Sequence, residues 1–214
     1  MRRPEFIARQ SSRPSGILGR ILARIMAAET ASLNLQALEV LAFRTSDHVL
    51  EIGFGHGKTL GLAVARVPDG FVAGVDVSAD MVVMARQRCK DAIRRGLVEA
   101  RLGDSSSLPF PDGSFDKVLC IHTLYFWKDP VRDLREICRV LKPGGRFVLG
   151  FRKKCDSGSA ADFPETVYTF YSTQEVCSLL KSAGFEKIEI RAVGPLPGEL
   201  FLAVAHRPSQ SFVH

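Results

Sequence analysis

Long apolar runs are missing from this 214-residue chain. No stretch approaches the roughly eighteen apolar residues that a membrane-spanning helix needs, so the expected location is the cytoplasm. Arg2-Arg3 stands near the start, but Pro4-Glu5 and the lack of an uninterrupted apolar segment argue against a twin-arginine export signal. Cysteine is scarce and dispersed: Cys89, Cys120, Cys138, Cys155 and Cys177 form no C-x-x-C pair. With no clustered histidines either, zinc-ligand spacing is excluded, no metal is expected, and the thiols read as reduced, with Cys120 and Cys138 as plain core residues. Acids are nearly absent from the N-terminus, where Arg2, Arg3, Arg9, Arg13, Arg20 and Arg24 face only Glu5 before residue 25. Much of the net charge of +6 is therefore local, and the arm is either a solvated segment or a binding surface. Two glycine signatures are also lacking. Lys58 stands where G-x-G-x-x-G needs its third glycine, and Ile52 where a phosphate loop needs its first, which excludes a dinucleotide site and an ATP or GTP site.

What is present is an apolar strand running into alternating glycines, Val49-Leu-Glu51-Ile-Gly53-Phe-Gly55-His-Gly57, and about twenty residues later a second strand ending in Asp76. Glycines let backbone approach a ligand with no Cβ in the way, and an acid at that distance suits ribose hydroxyls. Further strands are expected at 97–102, 115–122, 146–151, 187–193 and 201–207, alternating with helices near 59–67, 79–95, 130–141 and 173–183. Repeated strand–helix–strand units imply an α/β fold, a doubly wound, mostly parallel sheet of seven strands. The link Gly194–Glu199 is too short for a crossover helix, so the last strand should enter antiparallel. Upstream, Ile17, Leu18, Ile21, Leu22, Ile25 and Met26 recur at helical spacing with Arg20 and Arg24 on the other side, and a second helix is expected over 33–43. Residues 1–44 thus read as a basic arm and helical cap, and 45–214 as one domain with a single core.

Glu51-Ile-Gly-Phe-Gly-His-Gly57, Asp76, Gly103-Asp104, Leu108-Pro-Phe-Pro-Asp-Gly-Ser-Phe-Asp116 and Val140-Leu-Lys-Pro-Gly-Gly-Arg146, in that order, resemble the class I S-adenosylmethionine-dependent methyltransferases. The pattern looks closest to the type 11 group that includes ubiquinone- and menaquinone-biosynthesis methyltransferases. The resemblance spans about residues 35–207 and implies S-adenosyl-L-methionine as cofactor. It places Gly53, Gly55 and Gly57 under the methionyl and ribose parts, with Glu51 orienting that loop or the cofactor amino group, Asp76 and Val77 at the ribose, Met81 on the adenine, Asp104 and Ser105 at the adenine amino group, and Ile121 in the cofactor wall. His122 and Tyr125, on the exit of the fourth strand, become the catalytic candidates, His122 because its ordinary pKa lies near neutrality. Phe126-Trp127 are expected to pack beneath the next helix. Asp162, Tyr168 and Tyr171 are weaker candidates for substrate contacts. The Asn-Pro-Pro-aromatic signature of many amino-group methylating enzymes is absent where this chain reads Ile121-His-Thr-Leu124. A small-molecule acceptor is expected. The alternatives are an RNA or protein methyltransferase using the basic arm, and a cofactor-binding protein without turnover. The arm helix resembles the variable cap of this superfamily, its alternative being peripheral attachment to anionic lipid.

Overall fold

In the computed structural model, which describes residues 4–154, 163–193 and 200–209, three helices precede the sheet: α1 (Glu5–Ser12), α2 (Gly16–Glu29) and α3 (Ala31–Val40). There follow β1 (His48–Ile52), α4 (Lys58–Val64), β2 (Phe71–Asp76), α5 (Ala79–Arg88), α6 (Lys90–Arg94), β3 (Val98–Leu102) and β4 (Phe115–Ile121). A single 3-10 turn (Leu124–Phe126) leads to α7 (Pro130–Val140), β5 (Leu141–Arg152), α8 (Thr173–Ser182), β6 (Glu186–Val193) and β7 (Leu200–His206).

The strands form one seven-stranded sheet in the order β3-β2-β1-β4-β5-β7-β6. Pairs from β3 across to β5 are parallel, and β7 lies antiparallel between β5 and β6. This is the expected doubly wound arrangement, with strand order reversing beside β1. Parallel strands carry helices on both faces and so must be apolar on both. Accordingly β1 is buried from Val49 to Ile52 and β2 from Val72 to Asp76, and two apolar clusters fill the two faces. At the edge, β6 alternates half-buried and exposed positions. The Gly194–Glu199 turn lies outside the described residues.

Four differences from the expected elements have local causes. The 79–95 helix is two helices meeting at Cys89, whose backbone leaves helical geometry while its thiol turns toward the Gly57 carbonyl. No helix joins β3 to β4: Pro109 and Pro111 break the connection, which instead makes the Asp104–Ser107 bridge. Strand β5 starts at Leu141 rather than Arg146, because Pro143-Gly144-Gly145 bulges within the strand, as the shift in the β4 register between Phe115 and Lys117 records. Helix α1 was not anticipated; its polar run Ala8-Arg-Gln-Ser-Ser12 hides a helix that buries only Ala8.

Candidate active site

The carboxyl ends of β1, β2 and β4 open into a cavity of about 660 Å³, within the roughly 300–1,000 Å³ usual for small ligands. Its floor is the glycine loop. Gly53, Gly55 and Gly57 all take positive φ (74°, 56° and 80°), a conformation that favours glycine. A Cβ on Gly53 would lie 2.3 Å from Thr123 Cγ2, and one on Gly57 2.7 Å from Ala85 Cβ. These two glycines therefore let the loop pass close to the 3-10 turn and let α4 sit against α5. Gly57 does this work from behind and does not line the cavity. Beside Gly55 there is open space, so its backbone faces the cavity directly.

Asp76 ends β2, 7% exposed, and shapes the loop rather than merely facing it. Its two oxygens accept from the N–H of Gly55 (2.8 Å) and of Ser78 (2.9 Å). Burial outweighs those donors and raises its pKa to about 6, which leaves it mostly a carboxylate at neutral pH. Glu51, one residue before the end of β1, is buried to the same degree. Desolvation, reinforced by the Asp76 charge, raises its pKa to about 8 against a hydrogen bond from Thr59. Its Oε2 has no partner, so a buried acid with a spare oxygen sits in the cavity wall.

That arrangement predicts a pH signature. A carboxyl whose folded pKa exceeds its unfolded value is protonated when folded and ionised when unfolded between the two, so stability falls as pH rises across that window. For Glu51 the window runs from 4.5 to about 8, and at pH 7 the penalty is on the order of 3 kcal/mol. Glu51→Gln removes it. The expected result is a ligand-free variant that melts several degrees above the parent at pH 7–8 and no higher near pH 4.5, read by calorimetry.

Met81 is wholly buried in the cavity wall, Val77 is 36% exposed at its rim, and Ile121 lines it from β4. Asp104 lies exposed at the mouth, one oxygen accepting from the Ser106 N–H (2.9 Å). Ser105 is buried, and its hydroxyl donates to Asp133 of α7 in a very short hydrogen bond. Asp133 is a wall residue that no motif announced, since an acid within an amphipathic helix reads as solvent-facing. Phe126 and Trp127 line the cavity instead of packing only beneath α7, because the 3-10 turn swings them around the end of β4.

His122 has φ of +58° and sits in the wall with its N–H bonded to the Gly150 carbonyl (2.8 Å). A left-handed histidine is strained. Its ring is gripped from behind, with Nδ1 2.9 Å from the Tyr125 hydroxyl, which itself accepts from the Arg152 N–H. Burial, with the nearby Arg152 charge, lowers the His122 pKa to about 4. Tyr125 is 5% exposed within a cage of Phe126, Tyr168 and Phe170 rings and does not line the cavity. Its expected place in the pocket is thus corrected: the tyrosine touches the histidine, and its burial raises its pKa still further from neutrality. Tyr168 is likewise buried in that aromatic cage and Tyr171 half-buried, neither on the cavity, and Asp162 lies outside the described residues.

The roof comes from the N-terminal arm. Ser11 and Ser12 at the end of α1, Arg13 and Pro14 between α1 and α2, Ala23 and Met26 of α2, and Thr30 and Asn34 beyond it all line the cavity. The arm is tied to the start of α5: the Ser78 hydroxyl donates to the Pro14 carbonyl (2.5 Å), and Asp80 accepts from the Gly16 N–H (2.8 Å) and the Arg20 guanidinium (2.6 Å).

A doubly wound sheet, a glycine loop at its switch point and an acid ending the next strand define a protein that binds a nucleoside-containing cofactor. Residues 50–149 match the family described as a methyltransferase domain. The chain is 31% identical over 189 residues to the uncharacterized methyltransferase YdaC of Bacillus subtilis, covering 88% of this chain and 99% of that protein. It is 30% identical to the 27-O-demethylrifamycin SV methyltransferase of Amycolatopsis mediterranei over 73% of this chain, while spanning 60% of that longer protein. The structure of an S-adenosylmethionine-dependent methyltransferase from Aquifex aeolicus superposes with a TM-score of 0.63 at 27% identity, covering 81% of this chain and 88% of that one. The chain belongs to the S-adenosylmethionine-dependent methyltransferases. The site fits that cofactor on its own evidence, through the open face of Gly55, the unpartnered Glu51 oxygen and the buried Asp76 carboxylate.

Proposed function

We propose that the chain methylates a small molecule enclosed beneath the N-terminal roof, with Glu51, Gly53, Gly55, Asp76, Val77, Met81, Asp104, Ser105 and Ile121 around the cofactor. The observation that carries this reading is the roof itself: an acceptor meeting the cofactor must fit below Ser11–Pro14 in a cavity of about 660 Å³. The similarity to an enzyme named for an O-demethylated antibiotic points the same way. Bound S-adenosylmethionine supplies an activated methyl on a sulfonium. The protein's task is then to exclude water and hold the nucleophile in line, an effect worth up to roughly 7–11 kcal/mol.

Within this reading His122 acts as a donor. With the Tyr125 oxygen accepting the Arg152 N–H, we assign its own proton to His122 Nδ1 and the ring proton to Nε2. A neutral histidine in that tautomer offers an N–H to an acceptor oxygen and has no lone pair left to take its proton.

Incubating the enzyme with methyl-labelled cofactor and a cell extract tests the acceptor class: label is expected in the low-molecular-weight fraction, and label confined to RNA or protein refutes the reading. For His122, replacement by Ala is expected to lower kcat/KM about 10- to 100-fold. His122→Gln keeps a donor but cannot act as a base at all, so it should recover most of the loss. If Gln is as impaired as Ala, His122 is a base.

A further inference from the structure

Helix α2 presents two unlike faces. Ala23 and Met26 turn toward the cavity. On the other side Ile17 is 79% exposed, Leu18 44%, Ile21 48% and Ile25 51%. At about 100° per residue, positions four apart drift only about 40° around a helix, so Ile17, Ile21 and Ile25 form one ladder with Leu18 beside it and Arg20 and Arg24 along one flank. Phe6 of α1 and Leu35 of α3 are exposed as well. Single exposed leucines are ordinary, but a contiguous apolar ladder on a monomer surface marks a contact. The domain itself cannot cover it, because α2 already uses its inner face on the cavity.

The charges around the ladder say what does. No acid occurs in α2 before its last residue, Glu29. Arg20 is engaged by Asp80 and Arg9 by Glu5, whereas Arg13 and Arg24 have no acidic partner among the described residues. A second copy docking by the same face would bring this cationic flank against itself, since a two-fold interface pairs a patch with its own copy. An anionic lipid surface accepts both features, the isoleucines entering the acyl boundary and the arginines resting at the phosphates with their aliphatic stems along the interface.

We propose that the outer face of α2, through Ile17, Leu18, Ile21 and Ile25 flanked by Arg20 and Arg24, docks the enzyme on an anionic bilayer surface. The roof of the active site is then also the membrane-facing side of the molecule. The reading of the arm as cap or lipid anchor becomes a single helix doing both.

Co-sedimentation of the full-length protein with vesicles tests this without any turnover. Binding is expected to mixed phosphatidylglycerol–phosphatidylcholine vesicles and not to phosphatidylcholine alone, and it should weaken as salt rises. The pair Ile21→Ser and Ile25→Ser should lower the bound fraction by at least about tenfold, with the melting temperature and S-adenosylhomocysteine affinity unchanged. Should the pair lower the melting temperature, Ile17→Ser, at the most exposed rung, carries the comparison. Indifference of the parent protein to anionic vesicles overturns the proposal, as does a variant that binds like the parent. A parent that sediments as a dimer and becomes a monomer on substitution would assign the ladder to a second copy and overturn it too.

Discussion

A protein lacking residues 1–28 is expected to lose methyl transfer entirely while binding S-adenosylhomocysteine within about tenfold of the full-length chain. The two effects separate because the arm contributes wall and not foundation. Among its described side chains the only buried apolar ones are Ala8 and Ala23, so little core is lost on truncation. The cofactor residues, from Glu51 to Ile121, all lie downstream. What disappears is the roof, Ser11, Ser12, Arg13 and Pro14 among it, and with it the exclusion of water and the acceptor's enclosure. Calorimetry reads the affinity, and a single-turnover assay with labelled cofactor reads the transfer. Full activity in the truncated protein would reduce the arm to an anchor.

The second large effect is expected at Asp76. Asp76→Ala should weaken S-adenosylhomocysteine binding by about 1.5–3 kcal/mol, roughly 10- to 150-fold. The substitution removes the carboxylate proposed to face the ribose and also strands the N–H groups of Gly55 and Ser78 that it holds. Cys89→Ser and Cys177→Ser serve as controls and should change binding little. The parent's affinity should also fall as pH drops through about 6, where the buried carboxyl gains its proton. An affinity flat from pH 7.5 to 5, or equal losses in all three variants, would place the ribose elsewhere.

Much of this was legible in the sequence because the informative positions are local. The glycine loop, the acid closing β2 and the alternation of strands with helices follow from neighbours within about twenty-five residues, and six of the seven strands lie within a residue of their expected bounds, β5 starting five residues early. The short link before β7 announced the antiparallel strand. The rest depends on contacts that cross the chain. Asp133 reaches Ser105 from α7, and nothing in its own helix marks it as a wall residue. Tyr125 looked like a pocket residue by its place on the exit of the fourth strand, yet the 3-10 turn points it into an aromatic cage that includes Tyr168 and Phe170. The same turn brings Phe126 and Trp127 onto the cavity, Phe126 while also packing against Tyr125 and Tyr168. The inner and outer faces of α2 were visible as a period, but only the folded chain says which one the cavity takes.

Pro14 breaks the arm into two helices, and the break is where the Ser78 hydroxyl takes hold. That hydroxyl has one proton and gives it to the Pro14 carbonyl, while its oxygen caps α5 by accepting from Met81. The latch over the active site is thus one hydroxyl bond, one amide bond to Asp80 and one partly exposed ion pair. With two of those three contacts made to a partly exposed carboxylate, the arm is expected to open unaided, letting spent cofactor leave and fresh cofactor enter without any other protein to lift the lid.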